Sequence, residues 1–400
     1  MKYVGIIPLI GGMDIAHGKV LGHRPEYLVS WTPFSSNDSH LVNYYEGEVP
    51  YVLVDNGDKR PAGKIDVVHS TCPCAGLSTL SKKASPLNPI NEWMTTCAEY
   101  VMGEMRPEVY WGENAPALST AMGTPVREKI REVGKKHGYV MSCYKTKSLL
   151  HGVPQIRERT FYFFWRGNHV PLLNYYARPH VKIEDLISAP HGNFQTEPVR
   201  PGKITADPLY TYAREALLDG ASHRDIVAGL EKTTQILDIV QSHVPGKEPA
   251  QAFLDAADWL RAHDMERTAA FCERVSKKFG TDSGMMRRSI NLPKDYIGAF
   301  VGYLPTNVAH PVEDRHLSYR ECMAIMGLPD DFELLSPKRN LNHVCQNVPV
   351  GTASDMVEEV RAALEGERPR IRADYVFQSN HRQTHESLID DKPTIEGIFS

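Results

Sequence analysis

The chain has 400 residues, 42% of them hydrophobic and 24% charged, with a formal net charge of −4, which suits one large core plus a smaller one and argues against a generally basic protein that coats nucleic acid. No apolar run approaches the ~18 residues of a membrane helix, and Met1-Lys2-Tyr3-Val4-Gly5 lacks the layout of a signal peptide, so a cytoplasmic protein with no membrane partner is expected. The seven cysteines are irregularly spaced, which fits reduced thiols rather than a disulfide framework and leaves any of them available as a nucleophile.

In chain order, short β-type runs at 3–8, 26–32, 51–54, 66–70, 109–111, 139–144 and 160–165 alternate with helical stretches, the clearest at 92–105 and 126–137. Alternation of this kind predicts an α/β fold with a doubly wound parallel sheet, whose loops at the carboxyl ends of the strands collect ligands. Between 127 and 159 lysine and arginine dominate, which marks either a solvated face or one turned toward phosphate. From 166 to 314 the sequence becomes irregular and then helical, at 222–244, 249–263 and 265–279, and reads as a second, smaller domain rich in helix. Helices at 318–326 and 352–365 are assigned to the first domain resumed over 315–365, and the polar stretch 366–400 reads as a C-terminal tail.

Three segments carry the chemistry. Ser70-Thr71-Cys72-Pro73-Cys74-Ala75-Gly76 directly follows an apolar run, placing Cys74 in a loop at a strand's carboxyl end. There it is a nucleophile or a structural thiol; a metal is not expected, because Cys72 and Cys74 are one residue apart and no CxxC or His-x3-His set accompanies them. Trp111-Gly112-Glu113-Asn114 ends the next run, where a carboxylate is placed to hold or donate a proton or to cap a helix. Gly152-Val153-Pro154-Gln155-Ile156-Arg157-Glu158-Arg159 is a tight turn entering a strand, and its alternation puts Arg157 and Arg159 on one face.

In that order, these segments resemble the DNA cytosine-5 methyltransferase family. His310-Pro311 through Arg320-Glu321, Met326-Gly327-Leu328-Pro329 and Asn347-Val348-Pro349 resemble its later motifs, so the likeness covers 3–165 and 310–365. The resemblance implies a Rossmann-like methyltransferase sheet with a target-recognition domain over 166–314. It further implies that Cys74 attacks C6 of a flipped cytosine in double-stranded DNA, with Glu113 at N3 and the exocyclic amine, Arg159 at O2 and Arg157 as a brace. Ser78, Lys82 and Lys83 would lie on a loop that closes over DNA, or on a plain surface loop. Leu9, Gly11, Gly12, Asp55, Pro73, Asn347 and Val348 would face S-adenosylmethionine. An inactive DNA-binding homologue and an RNA substrate are the other readings; nothing in the sequence specifies the oligomeric state.

The donor end departs from the family pattern. Leu9 stands where a glycine is expected, the strand ending Val29-Ser30-Trp31 has no carboxylate, and Lys147 stands where an asparagine is expected. Two donors therefore remain: S-adenosylmethionine itself, or a carboxylated derivative (carboxy-S-adenosylmethionine) read by Lys147, with Lys19 and His17 as further candidates.

Overall fold

The computed structural model describes residues 1–78, 83–242, 248–279, 289–302 and 304–388. Its first unit comprises Met1–His180, Met326–Leu335 and the described part of Gln346–Ser400, and its second comprises Val181–Ile325 and Ser336–Cys345.

The first unit is built on a nine-stranded sheet. Its strands are β1 (Tyr3–Ile6), β2 (Tyr27–Ser30), β3 (Tyr51–Leu53), β4 (Val67–Ser70), β5 (Val109–Asn114), β6 (Tyr139–Lys147), β7 (Glu158–Arg166), β8 (Tyr375–Ser379) and β9 (Thr384–Leu388). They lie in the order β9-β8-β6-β7-β5-β4-β1-β2-β3. From β3 to β5 neighbouring strands are parallel, and outside the edge strand β3 their residues are buried and mostly apolar because helices cover both faces. Fully buried side chains such as Val4, Ile6, Val68, Tyr110 and Phe164 each contribute roughly 1.5–3 kcal/mol of burial. Helices α1 (Gly12–Leu21), α2 (Ser35–Tyr44), α3 (Glu92–Glu99) and α4 (Thr124–Lys136) connect or follow these strands. The later helix Val350–Leu364 packs on α1, and α3 packs on α4.

The sheet is mixed rather than parallel. Strand β7 runs antiparallel to both neighbours, pairing Glu113 with Phe161 and Thr146 with Arg159. Ten residues join β6 to β7, too few for a helical crossover, so the chain turns straight back. That turn carries the Arg157–Arg159 segment to the end of β5. The stretch expected to be a tail supplies β8, parallel to β6, and β9, antiparallel to β8. Because the chain leaves β1 for β2 and later returns on its other side with β4, the sheet has its topological switch point at the carboxyl ends of β1 and β4.

The second unit is helical. Helices Pro249–Ala262 and Glu266–Ser276 pack together over a core containing Tyr210, Leu237, Phe253, Leu260 and Cys272. The single helix expected over 222–244 is two, His223–Ala228 and Ile236–Ser242. Between them Gly229 closes the first, and Thr234–Gln235 pairs antiparallel with Asn291–Leu292, where a β-branched residue suits a strand better than a helix. Among the described residues, no helix is long and apolar enough to cross a membrane.

Candidate active site

Strand β4 delivers the cysteine loop. Ser70 at its end is buried and its hydroxyl lies 2.8 Å from that of Tyr110 and 2.9 Å from that of Tyr162. Cys72 belongs to this buried group, its Sγ 3.6 Å from Ser70 Oγ and 3.8 Å from Tyr162 Oη. Cys74, two residues on, is only partly buried. Of the two thiols, only Cys74 is placed to meet a ligand.

Glu113 on β5 is almost fully buried and lies beside Arg159 of β7, with Arg159 Nε 2.5 Å from Glu113 Oε1. The contact is an ion pair whose angle falls short of a hydrogen bond, since both atoms otherwise lack partners. Arg159 also donates through Nη1 to the Glu158 carbonyl at 2.7 Å. Arg157 is 1% exposed. Both guanidiniums reach Cys74 electrostatically: burial and then the Glu113 carboxylate push the Cys74 thiol up, while Arg159 and Arg157 pull it down. Cys74 thus follows β4, Glu113 lies at the end of the adjacent β5, and Arg159, with Arg157 just before it, lies at the start of the antiparallel β7.

The turn after β1 takes an unusual path. Ile7, Leu9 and Gly11 have φ of 49°, 54° and 85°. Left-handed backbone costs non-glycine residues on the order of 1–3 kcal/mol, most for a β-branched one such as Ile7. Hydrogen bonds hold it: Ile7 N donates to the Val29 carbonyl (2.9 Å), Gly11 N to the Pro8 carbonyl (2.8 Å) and Leu9 N to Asp38 Oδ1 (2.8 Å). Gly12 donates its N–H to Asn347 Oδ1 at 2.8 Å, and a Cβ there would lie 2.2 Å from the Val348 carbonyl oxygen. Asn347 and Val348 thus brace the turn, and Asn347 Nδ2 is buried there with no hydrogen-bond partner among the described residues.

At the end of β2, Trp31 occupies the position where a carboxylate is absent. It meets Trp93 and Tyr100 edge-on, each at 5.6 Å, and Phe34 meets Trp93 at 4.8 Å. Asp55, after β3, accepts from Thr32 N with both oxygens, at 2.9 and 3.1 Å. Leu9, Gly11, Gly12, Trp31, Asp55 and Pro73 all lie just after the adjacent strands β1 to β4, Gly12 as the first residue of α1. An aromatic wall, a nearby carboxylate and a turn too tight for a side chain at Gly12 fit the adenine and amino-acid ends of a sulfonium nucleoside.

Asp38 was not legible as a functional residue. It is fully buried, accepts from Leu9 N and from the Tyr51 hydroxyl (2.8 Å each), and burial pushes its carboxyl up to about 7. A carboxyl raised on folding contributes stability that is fully present below its unfolded value near 3.8 and is lost as pH rises through the folded value near 7. Asp38→Asn keeps an acceptor for Leu9 without the buried charge. Its stability should exceed that of the parent by about 2–4 kcal/mol above pH 7, a gain that vanishes below about pH 4. Urea melts at acid and alkaline pH check this; parallel pH profiles for the two proteins would contradict it.

Other expected residues lie elsewhere. Lys147 pairs with Glu158 in the β6–β7 register, so strand alternation puts it on the face opposite Arg159 and Glu113. His17 is fully buried, stacked on His69 at 4.3 Å and Tyr3 at 4.7 Å, and burial pushes its imidazole well down, so it is not a cation that reads a carboxylate. Lys19 is exposed in the last turn of α1, roughly 10 Å along the helix from the glycine turn. Ser78 is partly buried, Lys83 is exposed with its carbonyl accepting from Asn88 Nδ2 at 2.9 Å, and Lys82 is outside the described residues.

Comparisons with known proteins bear on the family and the fold. Residues 34–362 match the model of the C-5 cytosine-specific DNA methylase family. Among solved structures, a DNA modification methyltransferase encoded within an E. coli prophage is similar at TM-score 0.54 and 15% identity, covering 91% of this chain and 99% of that one. An Entamoeba histolytica methyltransferase follows at TM-score 0.51 and 9% identity, covering 91% and 98%. A Spodoptera frugiperda DNMT2 variant has TM-score 0.50 and 12% identity, covering 90% and 100%. At such identities these likenesses bear on the fold alone, and no curated protein matches the sequence. The family match spans most of the chain, and with the mixed α/β sheet beneath it the chain belongs to the C-5 cytosine-specific DNA methylase family and is a DNA methyltransferase-type enzyme.

Proposed function

We propose that this enzyme methylates C5 of a cytosine flipped out of double-stranded DNA, through a covalent adduct at Cys74, with S-adenosylmethionine as donor. The observation that carries the reading is the buried Glu113–Arg159 ion pair, at 2.5 Å, on the strands next to the one whose loop bears Cys74. The Cys74 thiolate adds to C6, where a neutral ring resists attack. Glu113, a carboxylate beside Arg159 at rest, passes to N3 the proton that the Cys74 thiol gives up and so draws off the electrons displaced by the new C–S bond. Arg159 faces the charge that builds at O2, and the buried Arg157 adds a second positive charge toward the sulfur. C5 becomes an enamine carbon; after transfer, loss of its proton expels the Cys74 thiolate. When bound, the donor supplies an electrophilic methyl group on sulfonium sulfur. Trp31 and Asp55 would hold its nucleoside end and the Gly11–Gly12 turn its amino-acid end. C6 is inaccessible in a stacked duplex, so the base must leave the helix for this pocket.

A second reading uses a carboxylated donor and yields a carboxymethyl product. In its favour, the Lys147 ammonium forms no ion pair with a carboxylate among the described residues, and it follows Thr146, the register partner of Arg159. Against it, Lys147 starts on the opposite sheet face. Masses of modified nucleosides in DNA from cells expressing the chain separate the two. We expect 5-methylcytosine; a carboxymethyl product lost in Lys147→Ala would move the assignment to the second reading, and unmodified DNA would contradict both.

A further inference from the structure

A cleft of about 480 Å³ lies within the first unit, along the part of α1 farthest from the glycine turn. Its volume falls in the range of roughly 300–1,000 Å³ typical of small-molecule sites. Lys19 and the turn Gly22–Arg24 line one side, Tyr44 and Tyr45 at the end of α2 another, and Pro329 and Val350 a third. None of the residues placed above at the donor or at Cys74 lines it. The spacing along α1 keeps this space open: Ile15, Gly18, Lys19 and Gly22 recur at three and four residues, so they share one face, and two of the four have no side chain. Gly22 ends the helix at φ 77°, in the left-handed region that favours glycine, and a Cβ there would meet nothing within 4 Å.

The charges around the cleft have one sign. Among the described residues none that lines it is acidic, and the exposed Lys19 ammonium forms no ion pair with a carboxylate. Arg24 is steadied from two sides: its Nη1 pairs with Glu48, which does not line the cleft, and its guanidinium lies 5.4 Å from the centre of the Tyr45 ring. The turn that carries it is tied down by His23, whose Nδ1 lies 2.9 Å from the Arg24 carbonyl and whose Nε2 lies 3.1 Å from the Met1 carbonyl. The rest of the lining is aromatic and apolar. Tyr44 is partly buried and held in place, its ring 5.2 Å from that of Phe332 and its hydroxyl donating to Asp331 Oδ1 at 3.4 Å. Ile15 and Val350 are buried, and Pro329 is partly so. Exposed cations over an apolar, aromatic interior are complementary to an anionic head on a flat ring. An inorganic anion would leave Tyr44 and the apolar wall without a partner, and a neutral ring would leave Lys19 without one.

We propose that this cleft is a second small-molecule site, for a mononucleotide whose phosphate meets Lys19 and Arg24 and whose base lies against Tyr44. The assignment depends neither on the identity of the donor nor on the role of Cys74.

Calorimetry on the full chain tests it, with adenosine monophosphate as the probe and S-adenosylmethionine present at saturation so that the donor pocket is filled. One probe molecule should bind per chain. Adenosine and inorganic phosphate, each keeping only part of the contacts, should each bind roughly tenfold more weakly or worse. Lys19→Ala should weaken the mononucleotide by about tenfold, the scale of one lost charge-assisted hydrogen bond, and leave adenosine unaffected; Lys19→Arg should keep the parent affinity. Tyr44→Leu should weaken the mononucleotide and adenosine alike, by about fivefold or more, whereas Tyr44→Phe should keep both. Because Lys19 is exposed, its alanine variant should melt with the parent, which separates loss of the site from loss of the fold. Displacement of the probe by S-adenosylmethionine overturns the proposal, as does an unchanged affinity in Lys19→Ala or inorganic phosphate that binds as tightly as the mononucleotide.

Discussion

Cys74→Ala should reduce base modification by roughly 10⁴-fold or more, the scale seen when a covalent nucleophile is removed, while DNA binding persists. The expectation rests on position. Cys74 is the partly exposed thiol, and the charges of Glu113, Arg159 and Arg157 all act on it. Cys72→Ala provides the contrast. Its sulfur is buried among the Ser70 and Tyr162 hydroxyls, so its loss should cost about 1 kcal/mol of stability and spare turnover. Equal loss of activity in the two variants would give the loop a folding role instead.

Glu113→Gln and Arg159→Ala should each lower turnover by about 10²–10³-fold, the usual effect of removing one preorganised group that meets developing charge. The loss should fall on kcat more than on DNA affinity, because these charges are called upon as the adduct forms. The two variants should part company in a second measurement, the pH dependence of Cys74 alkylation. Glu113 helps hold the thiol up, so Glu113→Gln should move the alkylation midpoint to lower pH; Arg159 helps pull it down, so Arg159→Ala should move it higher. Glu113→Gln should therefore have a more reactive thiol and a slower enzyme. If both variants shift the midpoint the same way, the pair does not act on Cys74 as described.

The α/β fold was legible in the sequence, and so was the placing of the candidate residues near strand ends; the directions of the strands were not. Cys74 and Glu113 close strongly apolar runs and so come to the carboxyl ends of strands, whereas Arg159 begins one and joins them because β7 runs antiparallel to β5. Strand direction carries no such mark. The reversed β7 shows itself only in the brevity of its connection to β6. Helix α1 escaped notice because Gly12 and Gly18 interrupt it and because Asp14 and His17, polar residues, are buried in it. There His69 Nε2 lies 3.2 Å from Asp14 Oδ1, so side chains that read as surface are held in the interior by one another. Strands β8 and β9 were read as tail because Gln378, Ser379 and the residues after them are polar; Gln378 is buried by bonding its amide to the Leu173 backbone at both ends. Asp38 stands among polar residues in α2, and only the tertiary structure brings it under Leu9. Leu9 itself was visible as a missing glycine, but not that the turn would adopt the glycine conformation regardless.

Covalent trapping tests the central claim most directly. A duplex carrying 5-fluorocytosine at the target position, incubated with the enzyme and S-adenosylmethionine, cannot lose its C5 substituent, so the adduct should accumulate. Peptide mass spectrometry should place the DNA on the segment containing Cys74, and Cys74→Ala should show none. A parent protein that binds the duplex yet forms no adduct, or an adduct that survives Cys74→Ala, would contradict the account.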